Sequence, residues 1–242
     1  MTRARRLALV VVATMAIAVP LRAETTSERA IFTVSVAGIT AGRLTLAANV
    51  SGTEYAVTSR ATSAGLAGLF SSFVLESRVV GRLRGGTFQP DRYAASGEGD
   101  RAGRGAEIRY KGGIPTVVSA AREPDSEAPV IDPATMGGTV DPQTAMYAVL
   151  RDVPGADLCN LALDLFDGHR HSRVRLRPGS GDDGAPQCDG LYRRIGGYSP
   201  AELADRRDTA FTVAYDGLPG GRFRVREIAF SSSFGKARLT RD

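Results

Sequence analysis

Residues 141–198 read DPQTAMYAVLRDVPGADLCNLALDLFDGHRHSRVRLRPGSGDDGAPQCDGLYRRIGGY. This stretch carries the strongest helix signal, the clearest hairpin signal and both cysteines of the chain. Asp141 is placed to cap a helix, because its carboxylate can accept a hydrogen bond from an orphan amide of the first turn. Pro142 suits the first helical position, where no amide donor is needed. Met146, Val149, Leu150 and Val153 then recur at helical spacing. Pro154-Gly155 reads as the stop, so a helix near 142–152 is predicted. Leu161, Leu163 and Leu165 alternate on the strand that follows. Asp167-Gly168 offers the left-handed backbone of a tight hairpin turn. In the return strand, about Ser172 to Arg177, Val174 and Leu176 alternate with Arg173, Arg175 and Arg177. A glycine- and aspartate-rich loop leads to Cys188 and a further strand.

Outward from this stretch, the period of two dominates. Phe32, Val34 and Val36 alternate, Gly38 to Gly42 turns the chain, and Leu44, Leu46, Ala48 and Val50 share a face. Phe73, Leu75, Val79 and Leu83 do the same. Gly85-Gly86 and Lys111-Gly112-Gly113 read as turns. Late strands run over Ala210 to Tyr215, Arg222 to Phe230 and Phe234 to Leu239. Short strands broken by glycine turns predict an antiparallel sheet or barrel. One central helix among ten or so strands predicts a mainly β fold, a curved antiparallel sheet or open half-barrel wrapped around that helix, which must bury its apolar stripe. Two segments break the pattern. Leu66, Leu69, Phe70 and Phe73 fall at helical spacing and read as a short apolar flap or plug. Arg122 to Thr139 is long, irregular and proline-bearing.

The first residues follow the order of a secretory signal peptide. Three arginines precede an uncharged run from Leu7 to Val19, too short to span a bilayer, and Leu21-Arg22-Ala23 ends in a small residue. Residues 1–23 are therefore expected to be removed, leaving 24–242 as a single β-rich periplasmic domain without a transmembrane segment. The chain has 31 basic and 26 acidic residues; losing Arg3, Arg5, Arg6 and Arg22 leaves 27 against 26. The basic excess belongs mostly to the leader and gives no footprint for nucleic acid.

Chemistry-bearing residues are few. Cys159 and Cys188, in an exported chain, suggest a disulfide. His169 and His171 are the only histidines. With Asp167 they share the residue types of a metal site, but they flank a turn, and they read as exposed turn residues; no metal site is predicted. No G-x-S-x-G elbow, Walker motif or dinucleotide motif is present, so neither catalytic residues nor a cofactor are predicted. The arginine faces at 173, 175, 177 and at 222, 224, 226 read as solvated sheet faces, with anionic partners as the alternative.

Taken in order, the early Phe-x-Val strand with Gly38 and Gly42, GLAGLFSSF, GGTFQPDRY, the proline–valine segments at Pro115 and Pro129, DPQTAMYAVLR, FDGHRHSRVRL and CDGLYRRIGGY resemble the uncharacterised exported proteins grouped as domain of unknown function 3108 (DUF3108). That resemblance implies a periplasmic β-rich protein whose half-barrel is similar to lipoprotein carriers of the LolA and LolB type. It supplies no catalytic residue.

The expected function is a non-enzymatic periplasmic binding or envelope-maintenance protein holding a lipid or acyl chain. Leu66, Leu69, Phe70, Phe73, Met146 and Leu150 are the candidates for cavity or lid. The alternative is an interaction module with a self-filled core that docks on an envelope protein, and a hydrolase is third.

Overall fold

In a computed structural model, the structure describes residues 25–64, 72–103, 105–120, 127–181 and 184–242. Seven strands come first: β1 (Thr25–Val36), β2 (Ile39–Ser51), β3 (Glu54–Ser63), β4 (Phe73–Arg84), β5 (Thr87–Gly99), β6 (Ala106–Lys111) and β7 (Ile114–Ala120). The helix α1 (Pro142–Leu150) leads to a two-residue strand, β8 (Val153–Pro154). Then follow β9 (Leu161–Phe166), β10 (His171–Pro178), β11 (Gln187–Gly196), a short helix α2 (Pro200–Asp205), β12 (Asp208–Leu218), β13 (Arg222–Ser232) and β14 (Gly235–Arg241).

All the strands belong to one curved antiparallel sheet. Its order is two meanders, β7 back to β1 and β14 back to β9, joined where β1 pairs with β14. Among the described residues the edges β7 and β9 do not pair, so the barrel is open. A strap holds the gap instead. Gly138 donates its amide to the Gly113 carbonyl at the β6–β7 turn (2.9 Å). Two residues on, Val140 forms a short parallel bridge with Leu165 of β9, through Val140 N to Asp164 O (2.8 Å) and Phe166 N to Val140 O (2.9 Å). The long irregular segment before α1 thus ends as the closure of an otherwise unpaired seam, which covers a sheet edge that would invite association.

Side-chain alternation builds the interior. Leu44, Leu46 and Ala48 of β2, Tyr55 and Val57 of β3, Val213 and Tyr215 of β12 and Val225 of β13 are buried on the concave face. At Gly85-Gly86 both φ values are positive, +54° and +80°, the backbone a two-residue hairpin turn needs. Pro90 lies inside β5 beside a bulge where the β4–β5 register shifts, a place where proline is tolerated in a sheet.

The helix is buried on nearly every side, including Gln143, Thr144, Ala145, Tyr147, Ala148, Val149 and Leu150. Asp141 caps it by accepting the Thr144 amide (2.9 Å). It ends at Leu150, two residues before the predicted end at 152, and Pro154-Gly155 is not what ends it. Arg151 is already extended, with ψ at 155°. Asp152 is held out of the helix from two sides. Its amide donates to Glu28 (3.1 Å), and its carboxylate takes Arg224 through Nη2 (2.7 Å) and Nε (3.1 Å). Val153 then pairs with Phe223. Tertiary pairing, rather than a local breaker, sets this boundary.

Three further expectations are corrected. The strand carrying Leu161, Leu163 and Leu165, expected to run on from Cys159, is β9 and begins at Leu161, because Cys159 has a left-handed φ of 59° and cannot enter a ladder there. The β9–β10 connection has four residues, not two. Asp167 accepts the amides of His169 (2.9 Å) and Arg170 (2.7 Å), and this side-chain turn replaces the tight one. The strand count is fourteen among the described residues rather than about ten. The flap residues Leu66, Leu69 and Phe70 lie outside the described residues, as does the leader 1–23. Phe73 starts β4, with the Arg101 guanidinium 5.3 Å above its ring.

Candidate functional site

The two flanks of α1 meet different surroundings. On one flank, Thr144 Oγ1 lies 2.9 Å from Tyr55 Oη. Gln143 Oε1 accepts hydrogen bonds from Ser59 (2.8 Å) and Ser77, and the Tyr147 ring packs against Tyr55 and Phe88. These contacts pin the helix to the β3–β5 half of the sheet. On the other flank, Ala145, Met146 and Val149 face the β9–β14 half across a cleft of ≈ 510 Å³. Leu165, Val174, Phe211, Ile228, Phe230 and Leu239 form much of the opposite wall. The volume falls within the roughly 300–1,000 Å³ of small-molecule sites. Met146 and Leu150 line this cleft; Phe73 does not.

Gly190 shapes the wall. A Cβ at this position would come within 2.2 Å of the Phe211 ring, so only glycine lets that ring lie flat across β11. A side chain here would push Phe211 out of its position.

The cleft is amphipathic. Its polar lining is Asp167, Arg170, Ser172, Tyr192 and Thr209, gathered toward the end of the sheet marked by the β9–β10 turn. Ser172 Oγ, Tyr192 Oη and Tyr198 Oη form a closed triangle with edges of 2.6, 2.7 and 3.1 Å. Burial pushes the Tyr198 hydroxyl well above the ordinary tyrosine range, and the neighbouring Tyr192 adds to this, so it stays protonated. The Arg170 guanidinium stands 4.8 Å over the Tyr198 ring and pairs with Glu202 of α2. That short helix was not anticipated, although Ser199-Pro200-Ala201-Glu202 spells a capping box with proline at the first position. Both reciprocal hydrogen bonds of the box form.

The histidines are not exposed turn residues. His169 Nε2 is buried without a hydrogen-bond partner among the described residues, and His171 is half-buried with Nε2 3.1 Å from Asp164. Burial pushes the Asp164 carboxyl up, but hydrogen bonds from Arg173 and His171 outweigh it and hold it below its ordinary value. Ser172, His171 and Asp164 are the residue types of a hydrolase triad, and two of them are chain neighbours. Strand alternation nevertheless separates them: Ser172 points into the cleft, while His171 and Asp164 lie on the convex face with Arg173.

Cys159 and Cys188 are joined in a disulfide, with Cα atoms 5.2 Å apart. It ties the segment entering β9 to β11, across the intervening β10. The sequence offered no means of finding the hydroxyl triangle, since Ser172, Tyr192 and Tyr198 form no spacing motif and meet only because β10, β11 and the turn before α2 converge.

Residues 31–183 match the family described as "Protein of unknown function (DUF3108)". The chain belongs to that family. No curated protein matches this DUF3108 chain. Among solved structures, it is similar to the crystal structure of a beta-barrel-like protein of domain of unknown function DUF1849 from Brucella abortus. The two share 12% identity at a TM-score of 0.46, over 88% of this chain and 94% of the other.

Proposed function

We propose that this DUF3108 protein is an exported, non-enzymatic carrier that holds one acyl chain of an amphiphile in the cleft beside α1. The observation that carries this reading is the one-sided packing of the helix. Hydrogen bonds to Ser59, Ser77 and Tyr55 hold α1 against β3–β5, so the helix is not free to shift and fill the ≈ 510 Å³ on its other flank. A rigid, mostly apolar cleft of this size suits a hydrocarbon chain, whose burial is favourable by about 0.8 kcal/mol per methylene. Export is supported by the leader-like start of the sequence and by the cysteine pair, because disulfides persist in oxidising compartments. Binding rather than turnover is supported by the position of Ser172, whose hydroxyl is held by two tyrosine hydroxyls while His171 faces the opposite side of the strand.

The test is a chain-length series of saturated monoacylglycerols by calorimetric titration. Affinity rises about fourfold per added methylene until the cleft is full, then levels. Native mass spectrometry of protein purified from its own periplasm shows a co-purifying lipid. Absence of a lipid together with no binding along the series would leave the module that docks on an envelope partner.

A further inference from the structure

We infer that the ligand's head is a hydrogen-bond donor, such as a hydroxyl or an amide, and not a carboxylate. This inference rests on the cleft reading above. It follows from the hydrogen-bond accounting at the polar end. Ser172, Tyr192 and Tyr198 own three hydroxyl protons, and the three edges of their triangle use all three. Tyr192 donates to Ser172, Ser172 to Tyr198 and Tyr198 back to Tyr192. Each oxygen then has a lone pair left, and the group as a whole offers acceptors. Asp167 adds another: its Oδ1 accepts two backbone amides, and the residue is among those lining the cleft.

The one cation lining the cleft among the described residues, Arg170, does not reverse this balance. Arg170 is neutralised by Glu202 and stacked on Tyr198. Arg194 stands 5.3 Å from the Tyr198 ring, and its Nη1 donates to the Glu202 carbonyl. A carboxylate head entering here would lose its water shell, meet the Asp167 charge, and find the triangle's donors already used. Each of these costs affinity. A hydroxyl or amide head instead donates to Ser172, Tyr192 or Asp167 without disturbing the triangle.

The experiment is competition for the uncharged fluorescent probe N-phenyl-1-naphthylamine at pH 7.5. The competitors share a twelve-carbon chain and are used below micellar concentration: 1-monolauroylglycerol, laurate and dodecylamine. The probe binds, and monolauroylglycerol displaces it at a concentration at least about tenfold lower than laurate, equivalent to about 1.4 kcal/mol. Tyr192→Phe removes one hydroxyl and narrows this ratio, with circular dichroism confirming the fold. Displacement by laurate as effective as by monolauroylglycerol would overturn the head-group inference and leave the acyl cleft standing, whereas displacement by dodecylamine, which also carries a donor head, would support it. Failure of the probe and of all three amphiphiles to bind would overturn the cleft reading itself.

Discussion

At the scale of single residues, two buried charges decide how the helix sits. Asp141 is fully buried, and burial pushes its carboxyl up to about 6 against the opposing hydrogen bonds from Thr144. The unfolded chain gives up that proton near pH 4, the folded protein only near pH 6. Stability tied to the proton is therefore complete below about pH 4 and is lost as pH rises through 6, by about 3 kcal/mol. Asp141→Asn stays neutral and can still accept the Thr144 amide. Urea melts at pH 4 and pH 7 are expected to show the variant gaining on wild type at the higher pH; a difference independent of pH would mean that Asp141 ionises at no cost. At the other end of α1, Arg241 lies within 4 Å of both Asp152 (3.5 Å) and Glu28 (3.9 Å), with its own side chain only 11% exposed. Burial and the nearby Asp152 raise the Glu28 carboxyl. Arg241→Met leaves Asp152 with Arg224 but takes from Glu28 the cation beside it, and a loss of about 3 kcal/mol is expected in denaturant melts. The Arg241 environment could not be read from sequence: Arg241 is the penultimate residue of the chain and Glu28 the fourth from its described start, and only the β1–β14 pairing brings them together.

At the scale of elements, α1 and the disulfide are separate anchors. Leu150 is buried and is among the residues lining the cleft. Leu150→Ala is expected to cost about 2 to 5 kcal/mol by chemical denaturation. The Cys159–Cys188 bond closes a loop of about 30 residues, for which chain entropy gives roughly 3 to 4 kcal/mol. Melts with and without dithiothreitol are expected to differ in midpoint accordingly, and equal midpoints would mean that β9 and β11 stay together without the bond. The start of α1 was legible because capping is local: Asp141 and Pro142 do what their chemistry dictates within four residues. Its end was not, because Asp152 leaves the helix for Glu28, Arg224 and β13, partners far away in sequence.

At the scale of the whole molecule, an open barrel with an unfilled flank gains stability from any ligand that binds only the folded state. Monoacylglycerol at about one hundred times its dissociation constant is expected to add about 2.7 kcal/mol. Thermal melts across a ligand titration check this, and a midpoint independent of ligand concentration would argue for a core that needs no guest. The seam is the other global feature. Gly138 and Val140 hold together edges that do not pair directly among the described residues, so the irregular segment preceding α1 is part of the barrel wall.

The sequence by itself determined the class of fold: period-two alternation from Phe32 onward, glycine turns and one capped helix leave a curved antiparallel sheet around a helix as the arrangement that buries every apolar face. These are local signals, set by side-chain direction and backbone preference within a few residues. The cleft depended on more. Ser59, Ser77 and Tyr55 are ordinary strand residues until the sheet curves them against Gln143 and Thr144. His171 and Ser172 are neighbours in the chain that pleating sends to opposite faces. Which flank of α1 is pinned and which is left open rests on contacts between residues 66 to 89 positions apart, and only tertiary structure makes those contacts.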